Sequence, residues 1–129
     1  MPSLFTRIIR GEIPCHKVGE DEHCLAFLDI APLREGHALV VPKLEVDRFF
    51  DLPDEVLAGI MPFARQVARR IQRVVPCDRI GVSVIGLEVP HAHVHLIPLD
   101  RMSDMDFTRP KLKPSPEELA ALAERIRNA

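Results

Sequence analysis

The chain reads as an α+β protein: a mainly antiparallel sheet of about five strands, one long helix packed on a sheet face, and short N- and C-terminal helices. Three observations predict this. The run His91-Ala92-His93-Val94-His95-Leu96-Ile97-Pro98 alternates with the two-residue period of a strand. The stretch from Asp54 to Val74 instead repeats its apolar residues at three- and four-residue steps. Short apolar runs bounded by Gly, Pro and Asp supply the remaining strands.

Each element follows in order. Ser3 is placed to cap a short helix carrying Phe5, Ile8 and Ile9, ended at Gly11 with Pro14 soon after. Strand-like runs come next near Cys15–Val18 and His23–Leu28, and the segment Asp29–Gly36 is rich in turn residues. His37–Val41 is a strand stopped by Pro42. In the long helix Val56, Leu57, Ile60, Phe63, Ala64, Val67, Ala68, Ile71 and Val74 form one stripe, and Asp51 or Pro53 marks its start. Pro62 lies inside it and should kink or split it. Arg65, Arg69, Arg70 and Arg73 read as its solvated face. Arg79–Ile85 and Ala92–Pro98 make an antiparallel hairpin across a Gly86–Pro90 turn. The polar segment from Leu99 to Pro114 reads as a loop, with Met102, Met105 and Phe107 embedded in it. Ser115-Pro116-Glu117-Glu118 then opens a C-terminal helix with a capping box and a proline at its first position.

At 129 residues the chain has the length of one domain, residues 1–129. Its formal net charge of −2 offers no bulk positive field for a nucleic acid polymer, so a phosphate ligand must be recognised locally. No apolar run approaches the ~20 residues of a membrane span, and Met1-Pro2-Ser3-Leu4 lacks a secretory layout. Cys15, Cys24 and Cys77 are irregularly spaced, which fits reduced thiols and a cytoplasmic location.

The histidine row carries the chemistry. On a strand His91, His93 and His95 share one face, backed by Ala92, Val94 and Leu96 on the other. One reading is a metal site, since neutral imidazole is a common ligand. However, His91 and His95 would lie about 13 Å apart along an extended strand. A single zinc with bonds of about 2.0–2.1 Å does not gather both ends of that row. A second reading is nucleophilic catalysis, in which one ring nitrogen attacks phosphorus while the other is held by a hydrogen bond. Neighbouring rings would then orient it and donate to phosphate oxygens. A third reading is an exposed, weakly structured His-rich strand.

The row resembles the His-x-His-x-His signature of the histidine-triad (HIT) nucleotide-binding superfamily. The resemblance extends to Phe5–Pro14 with its Gly-Glu-Ile-Pro turn, to Cys24–Ile30, and to Gly36–Lys43, so it spans nearly the whole chain. It implies a HIT-like fold and a hydrolase cleaving at a nucleoside α-phosphate through a covalent nucleotidyl-histidine. The substrate would be a purine nucleotide or nucleoside phosphate conjugate: a phosphoramidate, an acyl-nucleotide or a dinucleoside polyphosphate. By the same resemblance His93 is the nucleophile, His95 and His91 donate to phosphate oxygens, and His37 supports the triad. Asp29 would hold the ribose hydroxyls, with Phe5, Ile8, Ile13 and Ile30 lining the base pocket. His95 at the third position favours hydrolysis over transfer, because the transferase branch carries Gln there.

The chain departs from the family pattern at a few positions. Leu87 stands in the turn before the triad, and Ile80 falls where nucleotide-binding members often place Asn. Glu88 stands where Ser or Thr often contacts phosphate, and its carboxylate would repel one. Some bacterial members bind structural zinc through an N-terminal Cys-x-x-Cys, whose positions here hold Ser3 and Thr6. No metal and no cofactor are expected. These departures leave a second function open, a nucleotide-binding or interaction module with little turnover; a metal-dependent hydrolase is a third. The resemblance also implies a homodimer, to which Met61 and Val75, lying beside the helix stripe, would contribute.

Overall fold

A computed structural model describes all 129 residues. Helix α1 spans Leu4–Ile9, and strands β1, β2 and β3 span Lys17–Glu20, Cys24–Leu28 and Ala38–Pro42. Helix α2 covers Asp54–Val74, followed by β4 at Arg79–Ser83, β5 at Val94–Leu99 and α3 at Pro116–Arg127. The strands form one sheet in the order β1-β2-β3-β5-β4 with every neighbouring pair antiparallel. The crossover through α2 carries the chain from β3 to the far edge, and β5 then returns into the gap between β3 and β4.

The two faces of this sheet differ. Ala26, Leu28, Ala38, Val40, Val94 and Leu96 pack with Ile60, Phe63, Val67 and Ile71 of α2 and with Leu119, Leu122 and Ile126 of α3. Fully burying each such Leu or Ile side chain contributes about 1.5–3 kcal/mol. On the opposite face Leu25, Phe27, Leu39 and Val41 pack against Phe5 of α1. Leu39 pairs directly with His95 in the β3–β5 register, so the His95 side chain shares this second face.

Five expectations need correcting. The histidine strand begins at Val94, so His91 and His93 precede it. The Ala92 N–H bonds the Val46 carbonyl at 2.7 Å and the His91 N–H bonds Val89 at 2.8 Å, which commits this stretch to loop contacts instead of a strand ladder. Strand β4 accordingly stops at Ser83, opposite His95, and β1 starts at Lys17, two residues later than expected. Helix α2 runs unbroken through Pro62. Pro62 and Ala58, whose carbonyl loses its partner, are both solvent-exposed, so water can take the freed acceptor. Finally, the 99–114 segment is tied down. A 3₁₀ turn at Met102–Met105 buries Asp104, which accepts from Arg34 Nη1 at 2.7 Å and from the Asp100 and Arg101 N–H groups.

The two terminal caps form as the sequence implies. The Ser3 hydroxyl accepts from the Thr6 N–H, and Ser115 and Glu118 make a reciprocal capping box. No helix is long and apolar enough to cross a membrane.

Candidate active site

A cavity of about 480 Å³ opens on the α1 side of the sheet, a size suited to a small organic ligand. Phe5, Ile8, Ile13, Asp29, Ile30 and Glu88 all line it, as do His37, His93 and His95. Ile80 does not: it packs against the core on the other face, so its departure from the family pattern does not reach this cavity. His91 does not line it either. Its ring is fully buried, with Nε2 2.8 Å from the Pro42 carbonyl and Nδ1 2.7 Å from Ser3 Oγ. Both nitrogens are therefore spent inside the protein, whereas the resemblance had them facing phosphate. The three triad histidines are buried, not displayed on an open strand face.

The hydrogen bonds assign a proton to each ring. His93 Nδ1 lies 2.7 Å from the His91 carbonyl, which can only accept, so Nδ1 carries the proton and neutral His93 has a bare Nε2. The opposite arises at His95. The Leu33 N–H donates to His37 Nδ1 at 3.1 Å, leaving the His37 proton on Nε2. That proton points to His95 Nδ1 at 3.0 Å, so His95 keeps its own proton on Nε2. Burial, then the neighbouring His95 and Lys111, pushes His37 down to about 3. Burial, then His93, pushes His95 down to about 4. Both rings are neutral at pH 7. Among buried side-chain nitrogens and oxygens only Ser83 Oγ lacks a partner, so the free Nε2 atoms of His93 and His95 are open to the cavity and not sealed away.

Aromatic rings pack against the two histidines, which themselves meet with centroids 5.0 Å apart. Phe5 stands 5.0 Å from His93 in a near-perpendicular arrangement, and Phe107 stands 4.8 Å from His95. Gly36 delivers His37: its φ is +91°, and a Cβ there would lie only 3.0 Å from Val75 and 3.2 Å from Ile71. Asp29 follows β2 and accepts from the Ala31 N–H at 2.9 Å through Oδ1, while Oδ2 remains 3.7 Å from His37 Nε2. Burial raises its carboxyl above the ordinary range.

Phe107 and Lys111, both from the 99–114 segment, line the cavity, and neither was singled out for the site by sequence reasoning. Lys111 is the one Lys or Arg among the lining residues and shares the cavity with Glu88 and Asp29. The only advance signal was a pair of apolar methionines and a phenylalanine inside an otherwise polar stretch. The contact that folds this segment inward, Arg34 to Asp104, joins residues far apart in sequence and leaves no local pattern.

Asp29, His37 and His95 bring three metal-ligating atoms within 4.8 Å of one another. The tautomers do not suit an ion. A metal on His37 Nε2 would drive that proton to Nδ1, which already faces the Leu33 N–H donor.

A sheet of this order with a buried His-x-His-x-His run beside a cavity narrows the class of protein further than the fold alone does. Residues 10–102 match the HIT domain, and the chain belongs to that family. It is 37% identical over 129 residues to the adenosine 5'-monophosphoramidase of Schizosaccharomyces pombe, covering 98% of this chain and 96% of that one. The solved structure of a Hit-like protein from Bartonella henselae superposes with a TM-score of 0.84 at 30% identity, covering 98% and 94% of the two chains. A Zn-bound histidine triad family protein from Mycobacterium smegmatis superposes with a TM-score of 0.82 at 26% identity, covering 97% and 90%.

Proposed function

We propose that this protein hydrolyses a purine nucleoside phosphate conjugate at its α-phosphate, with His93 as a covalent nucleophile. One observation carries the reading: two adjacent imidazoles present opposite Nε2 atoms, bare in the neutral form of His93 and protonated on His95. The His93 lone pair attacks phosphorus, and the bond to the leaving group breaks with its electron pair. For a phosphoramidate, the amine departs carrying a proton taken from solvent. His95 Nε2–H donates to a phosphoryl oxygen throughout, and the His91 carbonyl steadies the cationic nucleotidyl-imidazole through Nδ1–H. Water then attacks phosphorus, releases a proton to solvent, and returns His93 to its starting tautomer.

The apolar slot of Phe5, Ile8, Ile13 and Ile30 takes the base, and the free Oδ2 of Asp29 accepts from a ribose hydroxyl. Lys111 offsets part of the repulsion between Glu88 and phosphate. The similarity to a monophosphoramidase supports the phosphoramidate among the three substrate types. The test is turnover of adenosine and guanosine 5'-phosphoramidates, with intact-mass detection of a nucleotidyl adduct. Binding without turnover or adduct would instead establish a nucleotide-binding module.

We read the assembly as a homodimer. Met61 on α2 is 43% exposed, and the edge strand β4 with its following residue exposes Val82 and Val84. Val75 gives no support, because it is buried in the core.

A further inference from the structure

The row of polar groups behind His91, from the exposed Glu45 to the buried Ser3 and Thr6, has a one-way order of protons. Glu45 Oε1 accepts from the Ser3 N–H at 2.7 Å and from the Thr6 hydroxyl at 2.6 Å. Those two bonds, the backbone one first, hold the Glu45 carboxyl down at about 2, so it stays an acceptor. The Thr6 hydroxyl proton is thereby committed, and Thr6 Oγ1 can only accept from its other neighbours. Ser3 Oγ already accepts the Thr6 N–H at 3.0 Å, so its own proton is free to donate. Two acceptors are in reach: His91 Nδ1 at 2.7 Å and Thr6 Oγ1 at 3.2 Å, and the shorter contact wins. On the far side of the ring His91 Nε2 must donate, since the Pro42 carbonyl can only accept.

We propose that Ser3, held in place by Thr6 and Glu45, is a positioning residue for the reaction: it clamps His91 in the tautomer protonated on Nε2 alone, and so fixes the carbonyl that orients His93. This rests on the hydrolase reading above. The link is short, because the same residue whose ring is clamped supplies the carbonyl 2.7 Å from His93 Nδ1. Ser3 thus has two duties, capping α1 and locking a histidine far from it in sequence. Neither hydroxyl touches the cavity, so the clamp acts through His91 and not on substrate.

Reversing the proton direction tests it. Ser3→Asp keeps an acceptor for the Thr6 N–H, but an ionised carboxylate cannot donate, so His91 Nδ1 must gain a proton to meet it. Ring ¹⁵N spectra should show one protonated nitrogen on His91 in the wild type and two in Ser3→Asp, with the His93 ring signals shifted as well. Turnover of adenosine 5'-phosphoramidate should show kcat lower by about tenfold to a hundredfold with KM within about twofold, the signature of misplaced chemistry and not lost binding. Ser3→Ala, which removes the donor to His91 Nδ1 without adding a charge, should lower kcat in the same sense and Ser3→Thr should restore it. Because Ser3→Ala introduces no carboxylate at a buried position, it keeps the test open if Ser3→Asp folds poorly. A His91 ring that stays singly protonated in Ser3→Asp overturns the clamp. So does a changed His91 ring with unaltered His93 signals and kcat. A wild type inert towards phosphoramidates counts against the hydrolase reading, while the ring spectra still decide the clamp.

Discussion

The two faces of β3 and β5 use neighbouring residues for opposite purposes. Val40, Val94 and Leu96 point into a cluster with α2 and α3 that consists of apolar side chains, with no polar group to satisfy. One residue away, His95 points to the α1 side, where His37, His91 and His93 each have a defined donor or acceptor. Apolar packing tolerates swaps of similar volume, but a chain of directional bonds fixes which nitrogen carries each proton. The helix face therefore sets whether the molecule folds, and the α1 face sets what the folded molecule does. Substitutions that respect this division should change one property and spare the other.

The sharpest break should come at His93. His93→Ala removes the nucleophile, so turnover should fall by about a thousandfold or more, judged by nucleophile deletions elsewhere. Nucleotide binding, measured by calorimetry, should survive. An unchanged kcat would sink the covalent route.

The opposite face should respond in stability alone. Ile71→Ala hollows the α2–sheet cluster at a residue with no exposed surface, and the unfolding free energy should drop by about 2–5 kcal/mol. Activity per folded molecule should hold, since well-separated sites act independently. A matching loss of kcat in fully folded Ile71→Ala would show that the two faces are coupled.

A smaller effect is expected at Asp29. Asp29→Asn keeps the Ala31 contact but weakens a charge-assisted bond to a ribose hydroxyl, worth about 1.5–3 kcal/mol for a charged acceptor. Nucleosides should lose more affinity than 2',3'-dideoxynucleosides. Equal losses for both would remove Asp29 from the ribose site.

How much of this was legible beforehand depended on how local each cause is. The α2 stripe and the Ser3 and Ser115 caps are written within a few turns of chain, and each forms as its residues imply; of the histidine alternation only His95 lies on the strand. Apart from His91, the residues expected around the base and phosphate line one cavity. What stayed hidden depends on long-range pairing. His91 turns inward because Pro42 and Ser3 meet it from distant segments. Phe107 and Lys111 reach the cavity because Asp104 is buried against Arg34. Alternation places side chains on faces but says nothing about which nitrogen is already occupied.

Acid should expose the cost of the polar face. His37 and His95 titrate at about 3 and about 4 when folded, below the ordinary 6.5. As pH falls below 6.5 the unfolded chain takes up protons that the folded chain refuses, so stability drops from there towards pH 4. Urea midpoints between neutrality and pH 4.5 should trace that decline. His37→Gln, which removes one titrating ring but keeps a donor for His95, should make it shallower. An identical slope in the variant would take His37 out of the pH response.

The smallest expected effect is that of removing metal. Asp29, His37 and His95 are close enough to tempt an ion, so the polar face offers what the helix face cannot. Yet ligation at His37 Nε2 would leave Nδ1–H opposed to the Leu33 N–H, two donors about 3.1 Å apart. Loading a cation there would also dismantle the bond that keeps His95 protonated on Nε2. Dialysis against a chelator should therefore leave kcat unchanged, and added zinc should inhibit if it acts at all. Stoichiometric zinc lost together with activity would show that the ion, and not the Leu33–His37–His95 chain of donors, sets the state of the third triad histidine.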